Sequence, residues 1–323
     1  MAILVLSLLM GAASSFSPPT AEERVEAIGP IDGLPATLRK AFEPGADFEP
    51  IPSPNAGDWL AVRHEPGQTF EEFARSKPNR PDTSRTKVYL QPLGDFPEHK
   101  APPLELLRAY AAAYFDMEVT VLPALDLSSL QLTTRINRYT GNRQFLTGDI
   151  LSSLKKGLPA DAFCKLAITM EDLYPDPSWN FVFGQASLRE RVGVYSFVRY
   201  DPAFYGDDRG TDYEKVLLRR SCKVLVHETG HMFGLNHCIF FKCVLNGSNH
   251  LDESDSRPLH LCPVCLRKLQ HSIGFDVAAR YRNLLRFYQQ VGFDDDFRWV
   301  SRRLDSVLGE PTGHINPDPK SSH

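Results

Sequence analysis

The segment from His227 to His237, HETGHMFGLNH, constrains this chain more than any other stretch. Residues four apart on a helix share one face, so a helix running through His227 and His231 lets both hold one metal ion. Glu228 falls about 100° around that helix. It then sits beside the metal's open position, where it can take a proton from water rather than ligate. Gly234 follows the second histidine by three. A glycine can adopt the left-handed conformation that turns a chain sharply, and that turn can bring His237 back under the metal as a third ligand. Three neutral imidazoles leave a fourth position for water. Zinc lowers the pKa of such water toward ~7, and Glu228 can act on it as general base. HExxH alone also occurs in helices that bind nothing; the added Gly and His at fixed offsets separate this segment from that background.

A second cluster begins at the next residue. Cys238 and Cys243 form C-x4-C, and Cys262 and Cys265 form C-x2-C (CPVC). Four thiolates can close a tetrahedral zinc site with no room for water, which is structural rather than catalytic. Two disulfides or free buried thiols are the competing reading. Six cysteines in 323 residues are too few for a disulfide-dense scaffold, and Cys164 and Cys222 stand apart. The expectation is therefore two zinc ions per chain. Because a single peptide bond joins His237 to Cys238, the second metal would fix the loop that delivers the third catalytic ligand. His250 and His260 lie in the same loop; with four Cys at hand they read as surface or packing residues.

Around these motifs the pattern is α plus β. Of the 25 prolines, 15 lie at or before Pro103. Residues 1–86 therefore read as a Pro-rich, irregular, extended segment with one short helix near Phe70 to Arg75. From Lys87 the chain reads as a domain running to residue 308. Val88–Gln91, Glu118–Leu122, Lys165–Met170, Trp179–Phe183 and Val192–Val198 are expected strands. Pro103–Asp116 and Asp149–Lys156 are expected helices, with Asp149 as N-cap. Strands alternating with helices predict a mixed sheet. Tyr213–Phe233 reads as one long helix ending at Gly234, followed by helices at Val277–Val291 and Phe297–Leu308. The Pro/Ser/His-rich tail, 309–323, reads as disordered. At the other end, Ile3–Met10 is apolar and is followed by small residues, which imitates a signal peptide. We read it as an element packed on the domain and expect a cytoplasmic protein, because a four-thiolate site loads more readily where thiols stay reduced; secretion is the alternative. No segment is apolar and long enough to span a bilayer as a helix.

The two motifs together resemble the archaemetzincins, whose pattern joins the metzincin motif to four following cysteines, as HETGHMFGLNHC, CVLNGSNHL and LCPVCLRKLQ do here. DAFCKLAITMEDLYP, SWNFVFGQAS and VYSFVRY are also similar to that family, and the resemblance spans about Val88 to Tyr288. It implies an α+β, metzincin-like zincin. An upper subdomain (87–234) would hold a twisted mixed sheet and the active-site helix, above a mainly helical lower subdomain (235–308), with substrate in the cleft between. Asn180–Gln185 would be the edge strand that receives an extended peptide. Two departures stand out. Leu245 occupies the position where the family carries Met in the turn flooring the zinc, and the connection from Tyr200 to Tyr213 is short.

These readings favour a zinc metallopeptidase acting on peptides, aminopeptidase-like on short ones by the resemblance. The competing class is a non-catalytic zinc-binding interaction module with the same shape. Nucleic acid is not an expected partner: the formal net charge is -4, no basic helix flanks the cysteines, and Asp252, Glu253 and Asp255 make the intervening loop acidic. Tyr195 and Tyr200 are candidate oxyanion donors, with packing as the simpler role for each. Nothing in the chain specifies an oligomeric state.

Overall fold

Ala162–Thr169 is an eight-residue strand with every position buried, which is why its sequence, AFCKLAIT, shows no polar alternation. It is the centre of the fold. The computed structural model describes residues 16–309. The apolar run Ile3–Met10 and the tail after Gly309 lie outside the described residues.

In chain order the elements are α1 Ala21–Ile28, α2 Ala36–Phe42, α3 Trp59–Val62, α4 Phe70–Arg75, β1 Lys87–Leu93, α5 Leu104–Phe115, β2 Glu118–Val121, β3 Thr134–Ile136, β4 Arg143–Leu146, α6 Thr147–Lys156, β5 Ala162–Thr169, β6 Asp172–Tyr174, β7 Gly184–Ser187, β8 Val192–Ser196, α7 Tyr213–Met232, α8 Leu251–Asp255, α9 Pro263–Ile273, α10 Val277–Val291 and α11 Asp294–Leu308. The main sheet has the order β2-β1-β5-β8-β7. Its first four strands are parallel, and β7 pairs antiparallel to β8 at the edge. A second sheet has the order β3-β4-β6. The architecture is mixed α/β, as the alternating pattern predicts.

Successive side chains of a strand point to opposite faces, and this splits the core in two. Leu166, Ile168 and Tyr195 join the large cluster with α5 and α7. Ala167, Val192 and Val194 join a smaller cluster with Ile150 and Leu154 of α6. Cys164 and Cys222 are buried in the large cluster, and burial pushes both thiols up. Both are core residues, not ligands.

Several expectations need correction. Residues 16–86 are not a bare extended segment. Their prolines do hold the helices to between four and eight residues. Yet Ile28, Phe42, Ile51, Leu60 and Phe73 are buried in the main core. Helices α1 and α4 each start with a full capping box, Thr20 with Glu23 and Thr69 with Glu72. The stretch Trp179–Phe183 is a loop, not a strand. Side chains take the carbonyls at its start: Arg135 donates to Trp179 O and Asn180 O, and Asn137 and Gln144 also donate to Asn180 O, while Phe183 O at its end accepts from Ser196 N of β8. Only Gly184 and Gln185 of the expected edge segment lie in β7. Asp149 does not cap α6, which begins at Thr147; its carboxylate accepts from the Thr133 amide. Helix α11 starts three residues before Phe297, where Asp294, Asp295 and Asp296 complement the positive end of the helix dipole.

Candidate active site

The site is built at the end of α7, whose buried Leu217, Leu218, Leu225 and Val226 press it against the sheet. One turn apart on that helix, the rings of His227 and His231 have centroids 4.7 Å from each other. Gly234 follows with φ +82°, in the left-handed region. The Leu235 amide donates back to Gly230 O at 3.3 Å, closing the helix end. The turn brings His237 to centroid distances of 5.3 Å from His227 and 5.0 Å from His231.

Hydrogen bonds set the tautomers. His227 Nδ1 donates to Val244 O at 2.8 Å and His231 Nδ1 donates to Leu235 O at 2.6 Å. A carbonyl only accepts, so both Nδ1 atoms carry the proton and both Nε2 atoms present lone pairs. Those Nε2 atoms face each other at 3.1 Å. Two lone pairs at that distance repel unless a cation lies between them. Tetrahedral zinc with Zn–N about 2.0–2.1 Å would place two ligand nitrogens roughly 3.3 Å apart. The residues therefore fit the metal, and one ligand atom from each of the three histidines lies within 4.8 Å of the others. Burial, followed by the neighbouring histidines, pushes His227 well below its ordinary pKa. Burial, followed by His237, pushes His231 down to about 4. Neutral imidazole is the form a metal requires.

Glu228 points into a cavity of about 310 Å³ that His227, His237, Trp59, Trp179, Phe183 and Tyr200 also line. Burial pushes its carboxyl up to about 7, against the opposing pull of His237. Tyr200 is in the wall, stacked on Phe183 at 5.4 Å. Tyr195 is not: its hydroxyl is buried without a partner. Lys223 and Arg257 line the same cavity, Lys223 donating to Ser254 O and Arg257 O. A larger hollow of about 630 Å³, lined by Phe96, Leu106 and Val291 among others, shares no residue with either metal-ligating cluster.

Cys238, Cys243, Cys262 and Cys265 converge with their sulfurs within 4.8 Å of one another, all buried and none in a disulfide. Cys238 Sγ lies 3.5 Å from Cys262 Sγ. That is far beyond an S–S bond and close to the roughly 3.8 Å expected between thiolates at about 2.3 Å from one zinc. Cys262 caps α9 and Cys265 sits in its first turn, where the helix dipole favours thiolates. The two clusters share a loop. Cys238 N donates to Leu245 O at 2.8 Å, and Val244 O holds His227. Asn246 pins that loop: its side chain accepts from Cys243 N at 2.7 Å and donates to Cys238 O at 2.7 Å and Phe241 O at 2.9 Å. Leu245 packs against Gly230 of α7, where an added Cβ would lie 3.1 Å from Leu245 Cδ1.

A third group, Asp58, His250 and Glu253, also has ligand atoms within 4.8 Å, but its lone pairs are taken. His250 Nδ1 accepts from Glu253 N, so Nε2 carries the proton that it donates to Asp58. Glu253 accepts from Trp59 N, Asn249 N and Arg257. His260 packs flat on Trp299 at 3.6 Å. Both histidines are structural.

Three residues at the site left no mark in the sequence motifs: Asn246, Trp59 and Glu65. The His237 ring is met edge-on by Trp59 at 5.2 Å, and His237 Nδ1 donates to Glu65 Oε1 at 2.7 Å. Burial acts to raise the Glu65 carboxyl, but hydrogen bonds from His237 and Trp59 outweigh it and hold it low. Glu65 lies 172 positions upstream of His237, in chain that carries no repeated spacing.

The sequence profile described as peptidase family M54 matches residues 137–271. Archaemetzincin-2 from Macaca fascicularis is 43% identical over 279 residues, covering 77% of this chain and 77% of that protein. Archaemetzincin-2 from Homo sapiens is 41% identical over 286 residues, covering 80% and 79%. Two solved structures are similar as well. An archaemetzincin from Archaeoglobus fulgidus, crystallised with malonate, is 31% identical with a TM-score of 0.42, covering 56% of this chain and 99% of that one. One from Methanopyrus kandleri is 29% identical with a TM-score of 0.46, covering 59% and 97%.

Proposed function

The chain belongs to peptidase family M54, the archaemetzincins, which are zinc metallopeptidases, and on that premise we propose that it hydrolyses short peptides, in aminopeptidase fashion, with Glu228 as general base. The observation that carries this reading is the facing pair of His227 and His231 lone pairs at 3.1 Å beside the Glu228 carboxyl. His227, His231 and His237 hold the catalytic zinc. When bound, zinc supplies Lewis acidity there, polarising a carbonyl and acidifying water at neutral pH.

The remaining steps belong to the chain. Glu228 takes a proton from the attacking water as the new carbon–oxygen bond forms. It returns that proton to the departing amine nitrogen as the carbon–nitrogen bond breaks. A carboxyl raised to about 7 suits both halves of that task near neutral pH. Tyr200, in the cleft wall, is the better placed of the two tyrosines to donate toward the carbonyl oxygen. The unpaired edge of β7 offers backbone groups to an extended substrate. We place substrate between an upper subdomain, 87–234, and a lower one, 235–308, in the metzincin manner. A second zinc, held by Cys238, Cys243, Cys262 and Cys265, is structural. Four free thiols in one cluster favour a reducing compartment, and we propose a cytoplasmic location. No helix among the described residues is long and apolar enough to cross a membrane.

The test is turnover of short peptides with free and blocked N-termini by the zinc-loaded protein. Hydrolysis of the free series, and loss of it on blocking, supports the reading. Cleavage of both series alike removes the aminopeptidase part. No turnover by a protein carrying both metals would favour the non-catalytic binding module.

A further inference from the structure

The three histidines are not held alike. His227 and His231 are fixed twice, by the helix backbone and by carbonyls accepting from Nδ1. His237 stands three residues past the Gly234 turn, outside any helix. Its Nδ1 finds a carboxylate, Glu65 Oε1, at 2.7 Å. Both side chains are largely screened from water, at 22% and 19% exposure. A carboxylate on the far nitrogen of a ligating histidine fixes the ring and makes the near nitrogen a stronger donor.

Glu65 is itself held from both sides. Upstream, Trp59 N donates to both Glu253 oxygens at 3.1 and 3.0 Å, and Trp59 Nε1 donates to Glu65 at 2.8 Å. The indole fits because residue 247 is glycine; a Cβ there would lie 2.6 Å from it. Downstream, Gln68 accepts from Asn236 N at 3.2 Å and donates to Gly234 O at 3.3 Å, clasping the turn that aims His237. Lys268 reaches the Gln68 carbonyl from α9. Residues 58–68 thus form a strap anchored at each end, with Glu65 against the one ligand that no helix supports. Resting on the three-histidine metal reading above, we propose that Glu65 is a positioning residue, which orients His237 and strengthens it as a ligand and so makes this N-terminal strap part of the catalytic apparatus.

The experiment is metal affinity, read independently of turnover. The full chain, loaded with zinc, is titrated with a chromogenic chelator in the wild type and in Glu65→Ala, Glu65→Gln and Trp59→Phe. The wild type is expected to show two affinity classes. Glu65→Ala should weaken the three-histidine class by about 10–100-fold and leave the four-cysteine class unchanged, the latter showing that the variant is folded. Glu65→Gln keeps an acceptor but loses the charge, so its loss should be intermediate. Trp59→Phe leaves the His237 bond intact, so its shift should be smaller than that of Glu65→Gln. Cobalt substitution gives a second readout, since the ligand-field bands of the three-histidine site should move in Glu65→Ala while the thiolate bands stay. If Glu65→Ala keeps wild-type affinity in both classes, Glu65 only tethers the strap and the inference is overturned alone. If the wild type itself shows only the four-cysteine class, the metal reading of the histidines falls and the inference with it.

Discussion

The two metal-ligating clusters meet at the peptide bond between His237 and Cys238, and the chain treats them differently. The four cysteines are all buried, and their sulfurs face each other and backbone groups, the Leu245 and Cys262 amides and the Phe241 carbonyl. The three histidines are part-buried, and two of them, His227 and His237, line a cavity that Glu228 also lines. A closed sulfur cage excludes water, whereas an open nitrogen site admits it. The difference lies in delivery: two histidines come from one helix and the third from a turn, while the cysteines clamp the loop and the start of α9 together. The closed cluster therefore holds what the open one needs, namely Cys238 beside His237 and Val244 O under His227.

The largest effect expected is at the open site. Glu228→Ala should lower kcat by about 10²–10⁴-fold while both zinc ions stay bound, because Glu228 is not a ligand. Turnover at the parental rate in this variant, with metal content confirmed, would show that the proton goes elsewhere. The pH profile of the wild type should agree. A general base must be ionised, so kcat/KM should fall as pH drops through the Glu228 pKa, at or below about 7. An optimum well on the acid side would contradict that.

Next comes the closed site. Cys262→Ser with Cys265→Ser removes two thiolates that touch no histidine. If the cysteines clamp the shared loop, turnover should still fall by on the order of a hundredfold, since a ligand displaced by about 1 Å costs that much. An independent cysteine module would lose one zinc and keep its turnover. Zinc content, near-ultraviolet circular dichroism and peptide turnover on one sample separate the two. A gentler form of the contrast is chelation of the parent protein. Activity should vanish with the first zinc released, with little change in Tm, and Tm should drop only with the second.

How much of this was legible in the sequence follows from the distance over which each feature is encoded. The ligands of α7 and the turn at Gly234 lie within eleven positions and obey helical geometry, so spacing alone located them. The buried strand β5 and helix α10 carry strong local patterns. The loop at Trp179–Phe183 has the composition of a strand, but Arg135, Asn137 and Gln144, arriving from the β3–β4 hairpin, take the carbonyls at its start. The strap at Glu65 was illegible for the same reason at longer range: the prolines read as an extended segment with one short helix where the structure has four, and nothing local says that a Glu in a Pro-rich stretch will meet a histidine in a distant turn. Asn246 looked like an ordinary loop residue until three backbone groups were seen converging on it.

The smallest expected effect concerns Leu245, the floor of the shared loop. It stands where the family resemblance leads one to expect methionine, fully buried and against Gly230, the residue before His231 on α7. Its main-chain oxygen accepts from Cys238 N, a bond that any side chain at 245 preserves. What the side chain contributes is volume under α7. Leucine and methionine have similar volume and polarity, so Leu245→Met should change stability by less than about 1.5 kcal/mol and leave turnover within a few-fold. Leu245→Ala should be far worse, at about 2–5 kcal/mol, since the space opened lies against Gly230 of α7, on the helix that carries His227 and His231. Thermal denaturation and kcat/KM of the pair decide the matter. A large gain or loss of turnover in Leu245→Met, without a matching stability change, would mean that the sulfur itself acts on the site and that shape is not the whole function of this floor.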